Sequence, residues 1–399
     1  MSSTLTRREY MMTIVAVMLG WIFEALDFML LPLLAVPIMR ELSLSKMDFS
    51  YLISVGLLGT VLGGVLAGML ADKFGRRKVL YSSLLMYSLG TIMLSLSQSF
   101  QVASVARLII GIGLSAEWST GMALISENVP AKCRGKAVGL AQSGWPVGVM
   151  LAILMVMEVY PHIGWRGCFL AAVLPVPLII FLISRSPESK LWLSRGRETR
   201  TKIPLTELFK KPYVKTTLLA LLMNVLAMFS YWMFWSWIPT YLYEERGLDV
   251  VKSAEWLITT QVGAWLGYIS YGYFQDRVGR RPAWAVFTAT EALAIFIYLS
   301  PGITKDMLLF LGFILGYFTG FWSGFGALLS ELFPTRIRST ALGFVFNAGR
   351  AINFISPSLV ALLSSIYGWN TALSTASIAA LLASLIIWAF PETRGKELD

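Results

Sequence analysis

The chain has 399 residues, of which 56% are hydrophobic and 14% charged, and its mean hydropathy is +0.67. Soluble globular proteins carry about 25% charged residues, so this composition excludes a soluble protein and predicts an integral membrane protein. The net charge of +10 comes from 33 Lys and Arg against 23 Asp and Glu. Because the basic residues are spread through short gaps between apolar runs, nucleic-acid binding is not expected.

Twelve apolar runs along the chain are long enough to cross a bilayer, which takes roughly 20 residues. The predicted spans 1 to 12 cover residues 11–37, 49–71, 79–98, 102–126, 136–159, 163–184, 214–242, 254–274, 283–301, 306–330, 339–365 and 370–390. No small-residue cleavage site follows the first run, which we interpret as a retained span and not as a signal peptide. The expected fold is an all-α integral membrane bundle of twelve transmembrane helices.

The distribution of basic residues between the loops predicts the orientation of the chain. Twenty-five of the 33 Lys and Arg lie on the side of the N-terminus, six lie on the opposite side, and Arg107 and Arg350 lie inside spans. Cytoplasmic loops of membrane proteins retain positive charge, and an even number of spans places both ends of the chain on one side. Both termini are therefore expected in the cytoplasm, with the protein in the cell membrane.

The chain repeats itself at a constant offset of 204 residues. Chance matches would scatter in offset, so two six-span halves of the same topology are predicted, residues 1–184 and 214–399, joined by a polar cytoplasmic linker over 185–213. Parallel repeats related by an axis along the membrane normal are a known transporter plan. The repeated loop residues are Gly68, Asp72, Gly75, Arg76, Arg77, Glu127, Arg134 and Glu188, and their counterparts are Gly272, Asp276, Gly279, Arg280, Arg281, Glu331, Arg338 and Glu392.

These repeated loops resemble a signature of the major facilitator superfamily. The motif Gly-x-Leu-Ala-Asp-x-x-Gly-Arg-Arg begins at Gly68 and recurs in variant form from Gly272, and Arg107 with the glycines that follow it resembles a second signature. The sequences around Glu117-Trp118 and Asn347-Ala-Gly-Arg350 look most like the metabolite/proton symporters, which include sialate and lactate carriers. The resemblance covers essentially the whole chain, and it implies the major facilitator fold and a carrier whose halves rock about a central site.

No feature of the chain indicates an enzyme or an ATP-driven pump. The sequence lacks the Gly-x-x-x-x-Gly-Lys-Ser/Thr loop that cradles nucleotide phosphates. Its sole histidine, His162, lies in an outer loop, and neither Cys133 nor Cys168 has a base beside it in sequence. A carrier without a cofactor or a bound metal is therefore expected, with the proton gradient as its energy source.

Proton coupling requires a group inside the membrane that binds and releases a proton, and the candidates here are carboxylates. Glu24 and Asp27 in span 1 are three residues apart and share a helix face, and Glu117 lies in span 4. The resemblance implies that spans 1 and 4 pack side by side. Ionised Asp27 would then close a pair with Arg107, and protonation would free Arg107. The alternative is that Arg107 only ties span 4 to its neighbours. Glu291 in span 9 is expected to be structural.

Arg350 is the best candidate for a substrate ligand. It lies near the middle of span 11, where an unpaired cation costs at least about 2.5–3.5 kcal/mol, and its guanidinium suits a carboxylate held by two parallel hydrogen bonds. The alternative is an ion pair with an acid such as Glu117. Trp232 and Trp237 are expected at the membrane interface or facing lipid. The other residues predicted to bind substrate are Asn347, Gln142, Trp145, Trp118, Tyr231 and Trp235.

Together these features predict a secondary active transporter that imports a small organic anion, a monocarboxylate or an acidic sugar, with protons by alternating access. The repeated loop residues are predicted to form ion networks that close the cytoplasmic side. If the arginines were only topology signals, the paired acids would have no explanation. Sugar/proton symport, drug/proton antiport and a transporter-like sensor stay open as alternatives. The expected partners are protons, a small carboxylate and the lipid bilayer, and a monomer is expected.

Overall fold

The structure, a computed structural model, describes residues 6–194, 204–247 and 250–398. In these ranges the chain forms helices joined by short loops, without a β-strand, and the helices build the twelve predicted spans. Residues 195–203 of the predicted linker lie outside the described residues. In chain order the spans are Arg7–Leu33, Lys46–Phe74, Arg76–Ser95, Phe100–Asn128, Arg134–Gln142 with Gly144–Leu154, Tyr160–Val173 with Val176–Arg185, Val214–Trp235 with Ile238–Glu244, Val250–Val278, Arg280–Tyr298, Lys305–Phe318 with Trp322–Leu332, Arg338–Ile352 with Ser356–Tyr367, and Trp369–Ile386.

Capping residues explain why the first two spans begin earlier than their apolar runs. The Thr6 hydroxyl accepts a hydrogen bond from the backbone N–H of Glu9, whose carboxylate accepts one from the Thr6 N–H in return. Ser45 and Asp48 form the same reciprocal pair at the start of span 2. Such a capping box satisfies two backbone donors that a helix start otherwise leaves unpaired. The two helices therefore begin at residues 7 and 46, and not at 11 and 49.

Hydropathy alone identifies only part of this bundle. Among the described residues, seven helical segments are long and apolar enough to cross a membrane by length and composition, and one of them, Ala131–Arg185, contains both span 5 and span 6. Spans 3, 8, 9 and 11 are not among these segments. Polar side chains in two of them face the protein interior, because Glu291 of span 9 and Asn347 of span 11 are only 2% and 1% exposed.

Span 11 is interrupted next to the predicted substrate ligand. Its first helix ends at Ile352, and a single tighter turn, Asn353–Ile355, connects it to the second helix. The Asn353 amide donates hydrogen bonds to the carbonyls of Gly349 and Val225, at 2.9 and 3.0 Å, which fixes the turn against span 7. Arg350 therefore lies in the last turn of a helix, where the helix macrodipole stabilises a cation.

Two pairs of spans make the most extensive contacts between the two halves. Span 2 packs along span 11, and span 5 packs along span 8. A Cβ atom added to Gly272 would lie 2.9 Å from the carbonyl oxygen of Gly135, and one added to Gly68 would overlap the backbone of Ser339. Glycine thus allows the close approach at both crossings. Both crossings lie near the repeated loops, and a cavity remains between the halves beyond them.

Candidate functional site

A cavity lies between the halves, near the middle of the spans. It shares Trp232 and Arg350 with a second, larger void. The larger void is also lined by Leu31 and Ile53, which lie near those ends of spans 1 and 2 that point away from the repeated loops. The central cavity therefore continues towards the side of the protein opposite these loops.

Arg350 lines both voids and is 9% exposed. Its guanidinium lies 5.1 Å from the ring centre of Phe346 on its own helix and 5.9 Å from that of Phe28 in span 1. The acid that attracts it electrostatically is Glu24, and not Glu117 as the alternative interpretation supposed. Among the described residues that line the central cavity, Arg350 is the charged side chain. A negatively charged ligand in this cavity would therefore bind there.

The predicted switch between Asp27 and Arg107 is only partly assembled. Asp27 is fully buried, and its Oδ1 accepts a 2.8 Å hydrogen bond from the hydroxyl of Thr91 in span 3. Arg107 lines the larger void, and its guanidinium lies beside Gly56 of span 2. The two charges attract each other, but the closed ion pair predicted from the sequence is not formed. Thr91 holds the carboxylate, and the space at Gly56 accommodates the guanidinium.

Two further acids lie beside this pair. Glu24 and Glu117 are each 1% exposed, and neither Oε2 of Glu24 nor either carboxylate oxygen of Glu117 has a hydrogen-bond partner in the described part of the chain. The buried hydroxyl of Tyr87 is also unpaired there and interacts electrostatically with Glu24, Asp27 and Glu117. Sequence reasoning missed Tyr87, because one tyrosine in an apolar span carries no signal until the fold places acids around it.

Aromatic side chains form most of the cavity wall. Trp145 packs against Trp21 with ring centres 5.1 Å apart, and Tyr231 meets Trp322 edge to face at 6.2 Å. Of the predicted substrate residues, Arg350, Gln142, Trp145 and Tyr231 lie in this wall. The residues that line the cavity are Trp21, Gln142, Trp145, Met228, Tyr231, Trp232, Tyr268, Trp322, Phe346 and Arg350.

The expectation that Trp232 faces lipid or the membrane interface is wrong. Its ring lies 6.5 Å from that of Phe28 in the opposite half, and the side chain lines both voids. The cluster of aromatic residues in span 7 surrounds the helix, so the sequence did not reveal which rings point inward. Trp237, in contrast, lies between the two helices of span 7 and packs on Trp369 at the start of span 12, with ring centres 5.5 Å apart.

Three residues predicted to bind substrate lie behind the wall. Trp118 is 1% exposed, donates a 3.1 Å hydrogen bond to Gln142 and stacks on Phe346 with ring centres 3.9 Å apart. This stack joins span 4 of one half to span 11 of the other. Asn347 donates to a carbonyl of its own helix at 2.9 Å, and Trp235 does not line the cavity. Direct substrate binding by these three residues stays a prediction.

The first copy of the repeated loop joins the two halves through buried charges. Asp72 accepts hydrogen bonds from two backbone N–H groups at the start of span 11, at 2.9 and 3.3 Å, where a helix N-terminus stabilises an anion. Arg76 binds Glu127 through two N–H groups, both at 3.0 Å. Arg338, from the other half, binds the same Glu127 carboxylate at 2.6 Å.

The second copy of the repeated loop makes the same contacts with the roles of the two halves exchanged. Asp276 accepts hydrogen bonds from two backbone N–H groups at the start of span 5, at 2.9 and 3.0 Å. Arg280 binds Glu331 at 2.7 and 3.0 Å, and Arg134 of the opposite half binds Glu331 at 2.8 Å. The predicted contacts between the arginines and these acids are thus present and close the structure on this side. That they open during a transport cycle stays a prediction.

Glu188 and Glu392 play a different part from the one predicted. Their carboxylates accept hydrogen bonds from the backbone N–H groups that open spans 3 and 9, and not from arginine side chains. Gly75 and Gly279 precede these helices with φ of +105° and +113°, a conformation that favours glycine. Burial would raise the pKa of Glu392, but four backbone N–H groups hold that pKa below its usual value.

Comparisons with known proteins agree with this architecture. Residues 16–260 match the family model of the Major Facilitator Superfamily, and residues 194–399 match that of the Sugar (and other) transporter family. The chain belongs to the major facilitator superfamily. Membership in this family of transporters confirms the resemblance noted in the sequence and the expectation that the protein is not an enzyme.

Relatives along the whole chain are transport proteins. A metabolite transport protein of Haemophilus influenzae is 32% identical, and the alignment covers 95% of this chain and 96% of that protein. In Acinetobacter baylyi, the cis,cis-muconate transport protein is 31% identical over 87% of this chain and 86% of its own length, and the niacin transporter NiaP is 27% identical over 96% and 94%. Among solved structures, the proton:xylose symporter XylE has a TM-score of 0.84 at 18% identity, covering 99% of this chain and 98% of its own, which confirms the fold.

Proposed function

We propose that this multi-pass membrane protein is a secondary active transporter that imports a small organic anion with protons by alternating access. The first candidate for this anion is a monocarboxylate, and the second is an acidic sugar. The observation that carries the proposal is Arg350, the cationic side chain in the wall of the central cavity. Two N–H groups of one guanidinium match both oxygens of a carboxylate. A neutral sugar has no negative charge to offer this guanidinium.

The shape of the cavity supports a flat substrate. Rings of tryptophan, tyrosine and phenylalanine make up most of the wall, and Gln142 is its one amide side chain among the described residues. Ring faces bind planar, unsaturated groups well and offer few partners for many hydroxyl groups. The relatives named for niacin and for cis,cis-muconate support the same class, because both compounds are unsaturated carboxylates. We therefore place aromatic and unsaturated monocarboxylates first in the substrate class.

The coupled protons are proposed to bind to the buried acids of spans 1 and 4. Asp27 is the first candidate for the conformational switch, because it is attracted to Arg107 and bound by the hydroxyl of Thr91, so its charge influences three spans. Protonation of Asp27 removes its attraction to Arg107 and frees spans 1 and 4 to rearrange. The proton gradient is the proposed energy source, without a cofactor.

The repeated loops are proposed to form the cytoplasmic gate. Ion pairs between the halves hold the closed side together and must separate before it opens, so substrate binding must favour the rearrangement. The excess of Lys and Arg on the side of the N-terminus supports a location of these loops and of both termini in the cytoplasm of a cell-membrane protein. Residues 1–184 and 214–399 are the proposed rocking bodies, the segment 185–213 is the proposed linker, and a monomer is the proposed working unit.

Sugar/proton symport is the second candidate. It is supported by the match of residues 194–399 to the sugar transporter family and by the fold shared with a xylose symporter. The charge of Arg350 and the aromatic wall favour an acid over a sugar.

Uptake into proteoliposomes distinguishes these candidates. Purified full-length protein would be tested with labelled nicotinate, lactate, sialate and glucose under an imposed inward proton gradient. We expect nicotinate to accumulate above its external concentration and glucose to stay excluded. Good transport of glucose with no transport of any acid would contradict the organic-anion proposal, and binding of an acid without accumulation would indicate a sensor.

A further inference from the structure

Three acids, Glu24, Asp27 and Glu117, and two arginines, Arg107 and Arg350, lie buried around the cavity, each at most 9% exposed. Asp27 is attracted to Arg107, and Glu24 is attracted to Arg350. Glu117 is repelled by Glu24, and its two oxygens lack a hydrogen-bond partner in the described part of the chain. With Glu117 protonated, two carboxylates balance two guanidinium groups. The empty site is then neutral, and Glu24 is the counter-ion of Arg350.

Helix geometry supports this pairing. Glu24 and Phe28 are four residues apart and are neighbours on one face of span 1, and the guanidinium of Arg350 lies 5.9 Å from the ring centre of Phe28. One turn in the other direction, a Cβ atom at Gly20 would lie 3.1 Å from the carboxylate carbon of Glu117. Along this face Glu24 is therefore placed between Glu117 on one side and Arg350 on the other.

We propose that Glu24 is a substrate-linked proton site. The carboxylate of the substrate replaces Glu24 as the counter-ion of Arg350, and Glu24 binds one proton when this happens. The inference rests on the proposed function, because it requires a carboxylate bound to Arg350. It goes beyond that function by naming the group that makes anion binding and proton binding a single event.

Charge balance supplies the reason for the proton. A bound monoanion takes the N–H groups of Arg350 and leaves Glu24 as a buried carboxylate without a counter-ion, beside Asp27 and Glu117. Such an unpaired buried charge is strongly unfavourable. Glu24 therefore takes H⁺ from the adjoining solution and becomes a neutral carboxylic acid, so the charge of the occupied site equals that of the empty one. Release of the substrate reverses both steps.

The other ionisable groups near Glu24 do not replace it in this role. Tyr87 of span 3 and Arg107 of span 4 face the same cluster. The Gly144–Leu154 helix of span 5, which packs on span 1, has no ionisable side chain. In span 6, Arg166 pairs with Glu41, Arg185 lies in the last turn, and Tyr160, His162 and Cys168 lie in the first helix. Of the acids in the cluster, Glu24 is the one attracted to Arg350. It is therefore the group whose charge the substrate carboxylate displaces.

The test counts protons taken up during binding. Nicotinate is titrated calorimetrically into the purified full-length protein in buffers of different ionisation enthalpy, from mildly acidic to mildly alkaline pH. At the alkaline end, where Glu24 of the empty protein is ionised, the wild type should take up one proton per nicotinate and its affinity should fall about tenfold per pH unit. Glu24→Gln should bind nicotinate with an affinity that does not change with pH and without proton uptake. Glu24→Asp keeps a titratable group and should retain the uptake.

Glu158→Gln is the matched control, because Glu158 is exposed near one end of span 5, and it should behave as the wild type. Proton uptake that persists in Glu24→Gln, or its absence from the wild type despite nicotinate binding, would overturn the inference and leave the proposed function standing. If the wild type binds neither nicotinate, muconate nor lactate at any pH, the proposed function fails and the inference with it. Thermal unfolding of each variant shows whether it folds. If Glu24→Gln does not fold, proton uptake by the wild type and by Glu24→Asp tests the inference instead.

Discussion

Replacing Arg350 by lysine keeps the positive charge at the cavity and removes the planar fork of N–H groups. In the structure the guanidinium is held between Phe28 and Phe346, at 5.9 and 5.1 Å from their ring centres, so its orientation is set before substrate binds. An ammonium group makes point contacts and loses one of two parallel hydrogen bonds to a carboxylate. A hydrogen bond to a charged group contributes about 1.5–3 kcal/mol, which corresponds to an affinity roughly 10- to 150-fold weaker. Arg350→Gln, which also removes the charge, should abolish uptake of the acid.

The assay is the concentration dependence of nicotinate uptake into proteoliposomes, with equal amounts of reconstituted protein. Arg40→Lys is the matched control, since Arg40 is exposed after span 1 and away from the cavity, and it should leave the apparent affinity unchanged. Arg350→Gln that carries the acid like the wild type would refute the assignment of Arg350 as the carboxylate ligand. An unchanged apparent affinity in Arg350→Lys would refute the role of the fork.

Four further predictions concern other parts of the molecule. Asp27→Asn mimics the protonated switch, so it should abolish accumulation driven by a pH gradient while exchange of labelled for unlabelled substrate persists. Asp72→Asn removes a carboxylate charge whose interaction with the N-terminus of the span 11 helix contributes up to about 2 kcal/mol. A cysteine placed at Ser339, which is buried in the closed gate, should therefore be alkylated faster in this variant, by up to roughly 30-fold. Trp322→Leu removes a ring contact of about 0.5–1.5 kcal/mol, so the apparent affinity for nicotinate should fall roughly 2- to 12-fold and that for lactate should change little. The pKa of Glu392 is held below its usual value in the folded protein, so the hydrogen bonds that its carboxylate accepts persist at neutral pH and are lost as the pH falls through that lowered pKa. Amide hydrogen exchange of residues 392–398, corrected for the intrinsic exchange rate at each pH, should therefore become faster in acid.

Each of these predictions has an outcome that contradicts it. Asp306→Asn, at an exposed carboxylate, serves as control for Asp27→Asn, and accumulation of substrate by Asp27→Asn would place the switch on another acid. Unchanged alkylation in Asp72→Asn would mean that Asp72 does not hold the gate. Equal losses for nicotinate and lactate in Trp322→Leu would argue against ring stacking. Exchange at residues 392–398 that does not depend on pH would show that Glu392 does not anchor this segment.

Two features of the sequence predicted much of the fold. The apolar runs predicted the number of spans, and the 204-residue repeat predicted that Arg76, Glu127 and their counterparts would meet. The prediction was possible because a polar motif at the end of a span lies at the membrane surface, where the other loops of the same side are its neighbours. The repeat did not reveal that Glu127 is shared with Arg338 of the other half, since a repeat within one chain contains no information on how its copies cross.

The candidate site could be predicted only in part. A cation such as Arg350 inside an apolar span is costly to bury, so the sequence alone identifies it as a candidate ligand. Its electrostatic partner Glu24 is more than 300 residues away in the sequence, and no spacing rule connects them. The inward position of Trp232 and the place of Tyr87 among the acids depend on helix rotation, which an apolar pattern on all sides of a helix does not define.

The central claim, that a proton gradient drives a small carboxylate through this cavity, is tested most directly by one measurement in proteoliposomes. Labelled nicotinate uptake is followed with an imposed pH gradient while the membrane potential is held at zero, and the same vesicles are then treated with a protonophore. Nicotinate should accumulate above its external concentration, and this accumulation should collapse when the protonophore is added. Equilibration to the external concentration with or without the gradient would contradict it.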